Sequence, residues 1–444
     1  MKLPANVARC MDALEAAGFA CYAVGGCVRD AVLGLTPHDY DLCTAALPTE
    51  TEAVFADRQL VLAGKKHGTV GVVTGDGVVE ITTFRREGGY RDNRHPDWVR
   101  FVPDLREDLA RRDFTVNAMA YSPTRGFADP FGGREDLRRG ILRAVGDPET
   151  RFREDALRIL RGARFSARFS LTPDVATMAA MERLAPLLDT LARERVFEEM
   201  SRLLTAAGRE DLLRFRRIVA AAVAELGPTL DFDQHSPHHR YDLFTHIASV
   251  TAAVPPELPL RWAALLHDVG KPAVFRQDGD GRGHFPDHAA VGAAMAEEIL
   301  RRLRAPTALR ERAVLLIGQH MTVLTPERPL LLRRLRQYGP EAVRQLLALQ
   351  RADDAGKGVD AHKDYFDETE KALDAVLKED GVPSLKNLAL NGRDLLALGL
   401  PKGPAVGRCL EWLLTRVQED ALPNDRPALL AAARDWAEKE GETE

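Results

Sequence analysis

Short runs of alternating and mixed hydrophobic positions fill the first ~145 residues, and helical spacing takes over beyond them. Phe19–Val24, Leu60–Ala63, Thr69–Thr74 and Val78–Phe84 are rich in Val, Thr and Phe and bounded by turn residues, so each predicts a strand. Val28–Leu33 and Thr49–Ala56 predict short helices between them. Together these elements imply an α+β domain built on a small mixed sheet. From about Pro148 onward Ala, Leu, Arg and Glu dominate at helical period, and no strand is predicted after Leu171. Breaks near Gly227–Pro228, Pro255–Pro259, Asp278–Gly283, Gly381–Pro383 and Pro401–Pro404 divide the helical part. The expected organisation is a head over 1–147, a helical neck over 148–228, a third module over 229–358 and a helical tail over 359–444. No repeat of fixed period and no low-complexity segment interrupts it.

Length and composition narrow the class. A chain of 444 residues exceeds one ordinary core, so two to four domains are expected. Hydrophobic residues at 45% and charged ones at 29% describe a folded globular protein. The longest apolar runs, such as Ile218–Ala224, fall far short of the roughly 20 residues that span a bilayer. Pro4, Arg9 and Asp12 stand where a signal peptide needs an apolar stretch. Five cysteines form no CxxC pair, which fits reduced thiols in a cytoplasm. The net charge of −5 is not that of a typical nucleic-acid binder, but it is uneven. Ten arginines face six acids between Arg134 and Arg168, a local +4. A phosphate backbone responds to such a stripe rather than to the whole-chain sum, although a solvated helix face has the same composition.

Tyr22–Leu42 reads YAVGGCVRDAVLGLTPHDYDL. Gly25 and Gly26 follow a predicted strand and precede a predicted helix, so their backbone N–H groups can approach an anion closely. Asp39 and Asp41 are two apart, which on a strand points both carboxylates to one face. Carboxylates so placed repel unless a cation lies between them, and Mg²⁺ accepts such oxygens while holding substrate phosphates. Glu80, in the predicted strand Val78–Phe84, is the candidate third carboxylate or else an outward residue of an edge strand.

GGCVRD with DYD resembles the tRNA nucleotidyltransferase and bacterial poly(A) polymerase group. RRDFTVNAMAY (Arg111–Tyr121), DPFGGREDL (Asp129–Leu137) and REDALRILRGARFSARF (Arg153–Phe169) are similar to that group's later motifs, in the same order. The likeness covers roughly the first half of the chain. In-line phosphoryl transfer needs a metal bridging the attacking 3′-oxygen and the leaving pyrophosphate, a task for Asp39 and Asp41. Arg29 and Arg112 can pair with a triphosphate, and Asp113 with Asn117, four apart, would share a helix face toward the ribose. Arg112 and Asp113 as a structural ion pair is the alternative. Asp155 and Arg158, three apart on a helix, read by default as a surface salt bridge of little worth. The resemblance implies instead that they form an amino-acid template for the edges of C and A, with Arg161 in support of the base or the RNA backbone. Arg85–Arg106 reads as a flexible loop joining the first two motifs. By the resemblance such a loop accompanies A addition, so addition of CCA or of the final A to a tRNA 3′ end from CTP and ATP is expected, with poly(A) synthesis as the alternative.

The second half carries HHRYDLFTHIASV (His238–Val250), RWAALLHDVGKP (Arg261–Pro272), HFPDHAAVGA, LIGQHM and RADDAGKG. In order these supply His246, His267 and Asp268, His288, His320 and Asp353, mostly in stretches that read as helical. That order resembles the HD-domain metal phosphohydrolases. The resemblance implies a divalent transition metal (Ni, Mn, Co or Fe), a metal-activated water, and Lys271 in contact with the phosphate. A degenerate domain kept as a helical spacer or RNA platform is the alternative. Leu390–Leu410, with glycines and basic residues near predicted helix starts, can bind RNA phosphates or simply pack. The oligomeric state is not readable from these patterns.

Overall fold

The structure is a computed structural model describing residues 1–89, 98–359, 362–378, 385, 387–418 and 421–441. The chain divides into two compact units, one of Met1–Leu230 with Ile299–Ala305, the other of Asp231–Glu298 with Pro306–Glu444. Head and neck fall in one unit, and the third module and tail in the other, save for Thr229–Leu230 and Ile299–Ala305, which belong to the first.

The first unit opens with α1 (Ala5–Ala16), whose Val7, Cys10, Met11 and Leu14 recur at helical spacing and are buried. There follow β1 (Cys21–Val24), α2 (Gly26–Val32), β2 (Asp41–Thr44), α3 (Pro48–Val54), β3 (Leu60–Val61), β4 (Thr69–Thr74) and β5 (Gly77–Thr83). Next come β6 (Arg85–Gly88), β7 (Trp98–Phe101), α4 (Leu105–Ala110), β8 (Ala120–Ser122), β9 (Gly126–Ala128), α5 (Gly133–Arg138) and β10 (Ile141–Leu142). Among the described residues the main sheet has seven strands in the order β3-β4-β5-β2-β1-β8-β9. Within that sheet, among the described residues, only β2 and β5 pair in parallel. Leu42 and Cys43, adjacent and hence on opposite faces, are both buried, so β2 is covered on both sides. One face packs Val24, Cys43, Phe84, Leu109 and Val145 into a core.

The segment Arg85–Arg106 departs from the expected loop. Its flanks are β6 and β7, paired antiparallel from Arg85↔Phe101 to Gly88↔Trp98, while 90–97 lie outside the described residues. Alternation is too short in four-residue arms carrying four charged side chains for the period to show.

Helices α6 (Pro148–Glu154) and α7 (Leu157–Phe169), β11 (Thr172–Pro173), α8 (Val175–Leu184), α9 (Arg193–Ala206), α10 (Arg209–Arg214) and α11 (Arg216–Ala222) complete this unit's main chain. Strand β11 pairs in parallel with β10 over two residues, a pairing below what a hydrophobic pattern can reveal. Gly162 lets α7 lie close to its neighbours, since a Cβ there would meet both Met181 and Phe114 at 3.0 Å. Arg164 on α7 is buried and donates through Nε to Glu199 of α9 at 2.7 Å.

Among its described residues the second unit is helical apart from a small hairpin, β12 (Arg276–Gln277) with β13 (Gly283–His284), whose turn is the break expected at Asp278–Gly283. Its helices are α12 (Leu243–Ala253), α13 (Leu258–Leu266), α14 (Lys271–Val274), α15 (His288–Arg302), α16 (Thr307–Gln319), α17 (Arg328–Tyr338), α18 (Pro340–Gly356), α19 (Lys363–Lys378), α20 (Gly392–Ala397), α21 (Pro404–Gln418) and α22 (Arg426–Gly441). The last three close on a separate cluster around Leu395, Cys409, Leu413 and Leu429. No helix among the described residues is long and apolar enough to cross a membrane. All five cysteines are buried thiols.

Candidate functional site

The turn from β1 into α2 is where the first unit opens. Gly25 has φ +77°, a conformation side-chain-bearing residues rarely adopt, and a Cβ there would lie 2.9 Å from the Arg112 guanidinium. Arg112 therefore lies against bare backbone, with Asp108 at 3.6 Å and its own Nε buried without a hydrogen-bond partner among the described residues. It makes no ion pair with Asp113, so the structural-pair alternative does not hold.

Around this turn lies a cleft of about 460 Å³. Gly25, Gly26, Arg29, Arg112, Asp113, Asn117, Asp155, Arg158 and Arg161 all line it, together with Asp41. Arg111, Arg164, Phe165, Arg168 and Arg195 join them. Eight arginines against three aspartates make the lining cationic in a chain of net charge −5, which selects an anionic ligand. Three of the added residues were within reach of the sequence: Arg164, Phe165 and Arg168 continue the three-and-four spacing from Arg161 along α7. Arg195 comes from α9, and no local pattern ties it to the motif.

Asp41 begins β2 at the cleft, whereas Asp39 sits in the irregular stretch before the strand; both are exposed. The surrounding protein strips water from the Asp41 carboxylate and raises its pKa; Arg112 opposes this and Asp39 reinforces it. Glu80 is exposed on β5. Leu42 pairs with Ile81 in parallel register, so Asp41 and Glu80 stand one residue earlier on neighbouring strands. Asp39, Asp41 and Glu80 do not converge as a set within 4.8 Å, and none has an ion-pair partner among the described residues.

Asp113 and Asn117 are buried, and a 3₁₀ turn over Thr115–Asn117 replaces the helix face expected for them. Arg161 donates to Asp113 Oδ2 at 2.9 and 2.6 Å, Asn117 Nδ2 donates to Asp113 Oδ1 at 3.0 Å, and Arg29 donates to Asn117 Oδ1 at 2.6 Å. Burial alone would raise the Asp113 pKa, but Arg161, the Asn117 hydrogen bond and Arg158 together outweigh it and hold the carboxyl down at about 2. Arg29 also grips Asp30 at 2.6 Å and lies 4.2 Å over the Phe169 ring. In this arrangement the pair fixes two arginines of the cleft.

Asp155 and Arg158 depart from the expected helical neighbours. Helix α6 ends at Glu154, and Asp155 is extended (φ −142°), accepting the Leu157 N–H at 3.1 Å where α7 starts. A carboxylate competing for the backbone in this way breaks the helical run. Asp155 Oδ2 takes its second bond from Arg195 at 3.1 Å. Arg158 donates to Glu154 at 2.9 Å and to the Arg111 and Arg151 carbonyls at 3.0 and 3.1 Å. The two side chains do not bind each other, so the salt-bridge reading falls and both are anchored separately in the cleft.

The second unit gathers His246, His267, Asp268, His288, His320 and Asp353. Their ligand atoms form two groups, His246/His267/Asp268 and Asp268/His288/His320, each within 4.8 Å and sharing Asp268. His246 Nε2 lies 3.2 Å from His267 Nε2, and His288 Nε2 lies 3.3 Å from His320 Nε2. Asp353 Oδ1 is 3.1 Å from His246 Nε2. His246, His288 and Asp353 are on helices; His267, Asp268 and His320 sit just past helix ends rather than within helices. There the last-turn carbonyls are open, and His267 Nδ1 pairs with the Ala264 carbonyl at 2.8 Å and His320 Nδ1 with that of Ile317 at 2.7 Å. His288 Nδ1 pairs with the Phe285 carbonyl at 2.9 Å. With Nδ1 so used, Nε2 of each ring turns its lone pair inward, as a metal ligand must.

Burial works against charge on His246, yet the Asp268 and Asp353 carboxylates override it and lift its pKa to about 9. His320 is pushed down to about 4 by burial and by His267. Lys271 lies beside the cluster. It is buried, 2.7 Å from Asp268 Oδ2 and 3.0 Å from Gln234 Oε1, as an internal counter-charge. His239, which the motif reading passed over, stands 5.1 Å from His246 by ring centroids, and burial lowers its pKa to about 3.

Fold and cleft together define a nucleotidyltransferase head: a family model described as "Poly A polymerase head domain" matches residues 21–143. Models described as "Probable RNA and SrmB- binding site of polymerase A" and "tRNA nucleotidyltransferase domain 2 putative" match 168–214 and 287–433. A CCA-adding enzyme of Limosilactobacillus fermentum is 34% identical over 427 residues, covering 95% of this chain and 94% of its own. One of Streptococcus gordonii is 35% identical over 431 residues, covering 95% and 94%. The crystal structure of the Bacillus stearothermophilus CCA-adding enzyme in complex with CTP matches with a TM-score of 0.73 at 28% identity over 100% of both chains. The chain belongs to the CCA-adding enzyme family of nucleotidyltransferases.

Proposed function

We propose that this protein adds C, C and A in turn to tRNA 3′ ends, taking CTP and ATP and releasing pyrophosphate. The observation that carries this reading is that Asp41, Arg112, Asp155 and Arg158 share one cationic cleft. In each round the terminal 3′-hydroxyl releases its proton to solvent as its oxygen attacks the α-phosphorus, the bond from that phosphorus to the β-phosphate oxygen breaks, and pyrophosphate leaves with the electron pair. Asp39 and Asp41 are the residues to hold Mg²⁺, with Glu80 one strand away; carboxylates that make no ion pair among the described residues suit such an ion. When bound, the ion supplies Lewis-acid stabilisation of charge on the attacking and leaving oxygens. Gly25 and Gly26 bring bare backbone to the triphosphate, and Arg112 lies across that turn. Asp155 and Arg158, anchored by Arg195 and Glu154, offer acceptor and donors to the base edge. Arg29 and Arg161 are set in place by Asn117 and Asp113.

The test supplies Mg²⁺ and tRNA transcripts ending before CCA, after C and after CC, with CTP and ATP separately and together. Full extension of all three is expected, and Asp41→Ala abolishes it. Extension of the CC-ended transcript alone assigns addition of A only, and long A tails assign a poly(A) polymerase.

The helical unit supports a second activity, metal-dependent hydrolysis of a phosphoester. Four inward imidazole nitrogens and two carboxylates form a donor set suited to a divalent transition metal such as Mn, Co, Ni or Fe. His246, His267, Asp268, His288, His320 and Asp353 would hold the ion, which when bound would supply Lewis-acid activation for hydrolysis of the ester. Hydrolysis of a 2′,3′-cyclic nucleotide with added Mn²⁺ or Co²⁺ is expected, and its persistence in His267→Ala would remove this centre from the reaction.

A further inference from the structure

Three of the four imidazoles in the helical centre have an outer partner for Nδ1: the carbonyls of Ala264, Phe285 and Ile317. The fourth does not. Nδ1 of His246 is buried and has no hydrogen-bond partner among the described residues. A metal-bound imidazole whose second nitrogen is unheld lacks a fixed tautomer and a fixed ring orientation. Beside it stands His239, whose Nδ1 is likewise buried and unpartnered. Two orphaned imidazole nitrogens side by side are costly unless they serve each other.

Spacing shows that they can. His246 and His267 have ring centroids 5.2 Å apart and an N···N separation of 3.2 Å. His288 and His320 repeat this, with centroids 5.2 Å apart and nitrogens 3.3 Å apart. The His239 and His246 centroids are 5.1 Å apart, at an interplanar angle of 85°. That spacing matches the two bonded pairs, so a nitrogen of each ring can come within bonding reach. His239 belongs to neither ligand group.

We infer that His239 is a positioning residue of the helical metal centre, accepting the Nδ1–H hydrogen bond of His246 and holding its Nε2 toward the metal. This rests on the metal reading of that unit and adds to it an outer-shell partner from the segment before α12. The bond completes a rule the other three histidines obey, with an imidazole standing where they use backbone carbonyls.

The experiment measures Co²⁺ affinity and stoichiometry of the full chain by competition with a chromophoric chelator. Three variants are compared with wild type: His239→Phe, which keeps ring volume without an acceptor, His239→Gln, which restores an acceptor oxygen, and His267→Ala. The expected result is an affinity about 10- to 100-fold weaker in His239→Phe at unchanged stoichiometry, largely recovered in His239→Gln. tRNA extension by each variant reports that the chain is folded. Wild-type affinity in His239→Phe overturns the inference and leaves the metal centre standing. Loss of one ion per chain in both His239 variants also overturns it, because His239 is then a ligand. If wild type and His267→Ala bind Co²⁺ alike, the metal reading itself falls, and the inference with it.

Discussion

Asp113 shows how one buried carboxylate links stability to the cleft. Its pKa is held at about 2 against an ordinary 3.8, so the native state favours the charged form. The resulting stabilisation is present above pH ~4 and is lost as pH falls from there toward 2, with a full size of roughly 2 kcal/mol. Asp113→Asn leaves Arg161 without its anion, so the variant should be less stable than wild type by about that much at pH 7. The gap should close as both are acidified. Urea titrations at pH 7 and pH 3 check this, and a gap that does not narrow removes the Arg161 pair as its cause. Arg195 makes a different demand. It gives Asp155 Oδ2 its hydrogen bond at 3.1 Å, and a bond to a charged group is worth about 1.5–3 kcal/mol. Arg195→Ala should therefore reduce discrimination of CTP over UTP by about tenfold or more, read from kcat/KM for each nucleotide. Unaltered discrimination would mean that Arg195 does not hold the template. These two residues also mark what was legible. The motif put Asp113 beside Asn117, but its pairing with Arg161, 48 residues on in the fourth motif's helix, was not readable there. Arg195 was not readable either, because 40 residues separate it from Asp155 and only the packing of α9 on α7 joins them. The Asp155–Arg158 spacing misled for a related reason: an i,i+3 pair implies contact only where the helix is continuous, and Asp155 is extended.

At the scale of elements, helix α5 explains why DPFGGREDL is a motif although it adds no side chain to the cleft. Asp129 accepts the Gly133 and Arg134 N–H groups at 2.7 and 2.9 Å, capping the start of α5. Gly133 then presses against the 3₁₀ turn that carries Asn117: a Cβ there would lie 2.1 Å from the Thr115 carbonyl oxygen. The contact is backbone to backbone, so no rotamer relieves it. Gly133→Ala should cost more than about 3 kcal/mol, seen as a lowered Tm and as lost nucleotide addition through displacement of Asn117. A variant with wild-type Tm would show that α5 can retreat. Glycine motifs of this kind are visible in sequence, but a turn glycine such as Gly25 and a packing glycine such as Gly133 look alike there. Strands β4 and β5 were legible because six and seven residues suffice for the pattern and for turns at both ends. The two-residue pairings β10–β11 and β12–β13, and the hairpin β6–β7, were not. Their hydrogen bonds follow from tertiary contact rather than from periodicity.

For the whole molecule, the two candidate metal sites lie in different units and use different donors, so they should answer differently to chelation. The head offers carboxylate oxygens from Asp39 and Asp41, which suit a hard, readily exchanged ion such as Mg²⁺. The helical centre offers buried imidazoles crowded against Asp268 and Asp353, a set that binds transition metals far more tightly. Any ion bound by the native state alone stabilises it by mass action, about 2.7 kcal/mol at a free concentration of 100 Kd. After chelation with EDTA and its removal, Mn²⁺ or Co²⁺ at micromolar levels should raise the thermal unfolding temperature of the full chain. Mg²⁺ at the same concentration should not. Millimolar Mg²⁺ alone should restore tRNA extension without restoring hydrolysis of a cyclic nucleotide. Asp41→Ala should abolish extension while keeping the Mn²⁺-dependent rise, and His267→Ala should do the reverse. A rise that disappears in Asp41→Ala and survives in His267→Ala would assign the tight site to the head. Two units, each with its own donors, would then not correspond to two chemistries.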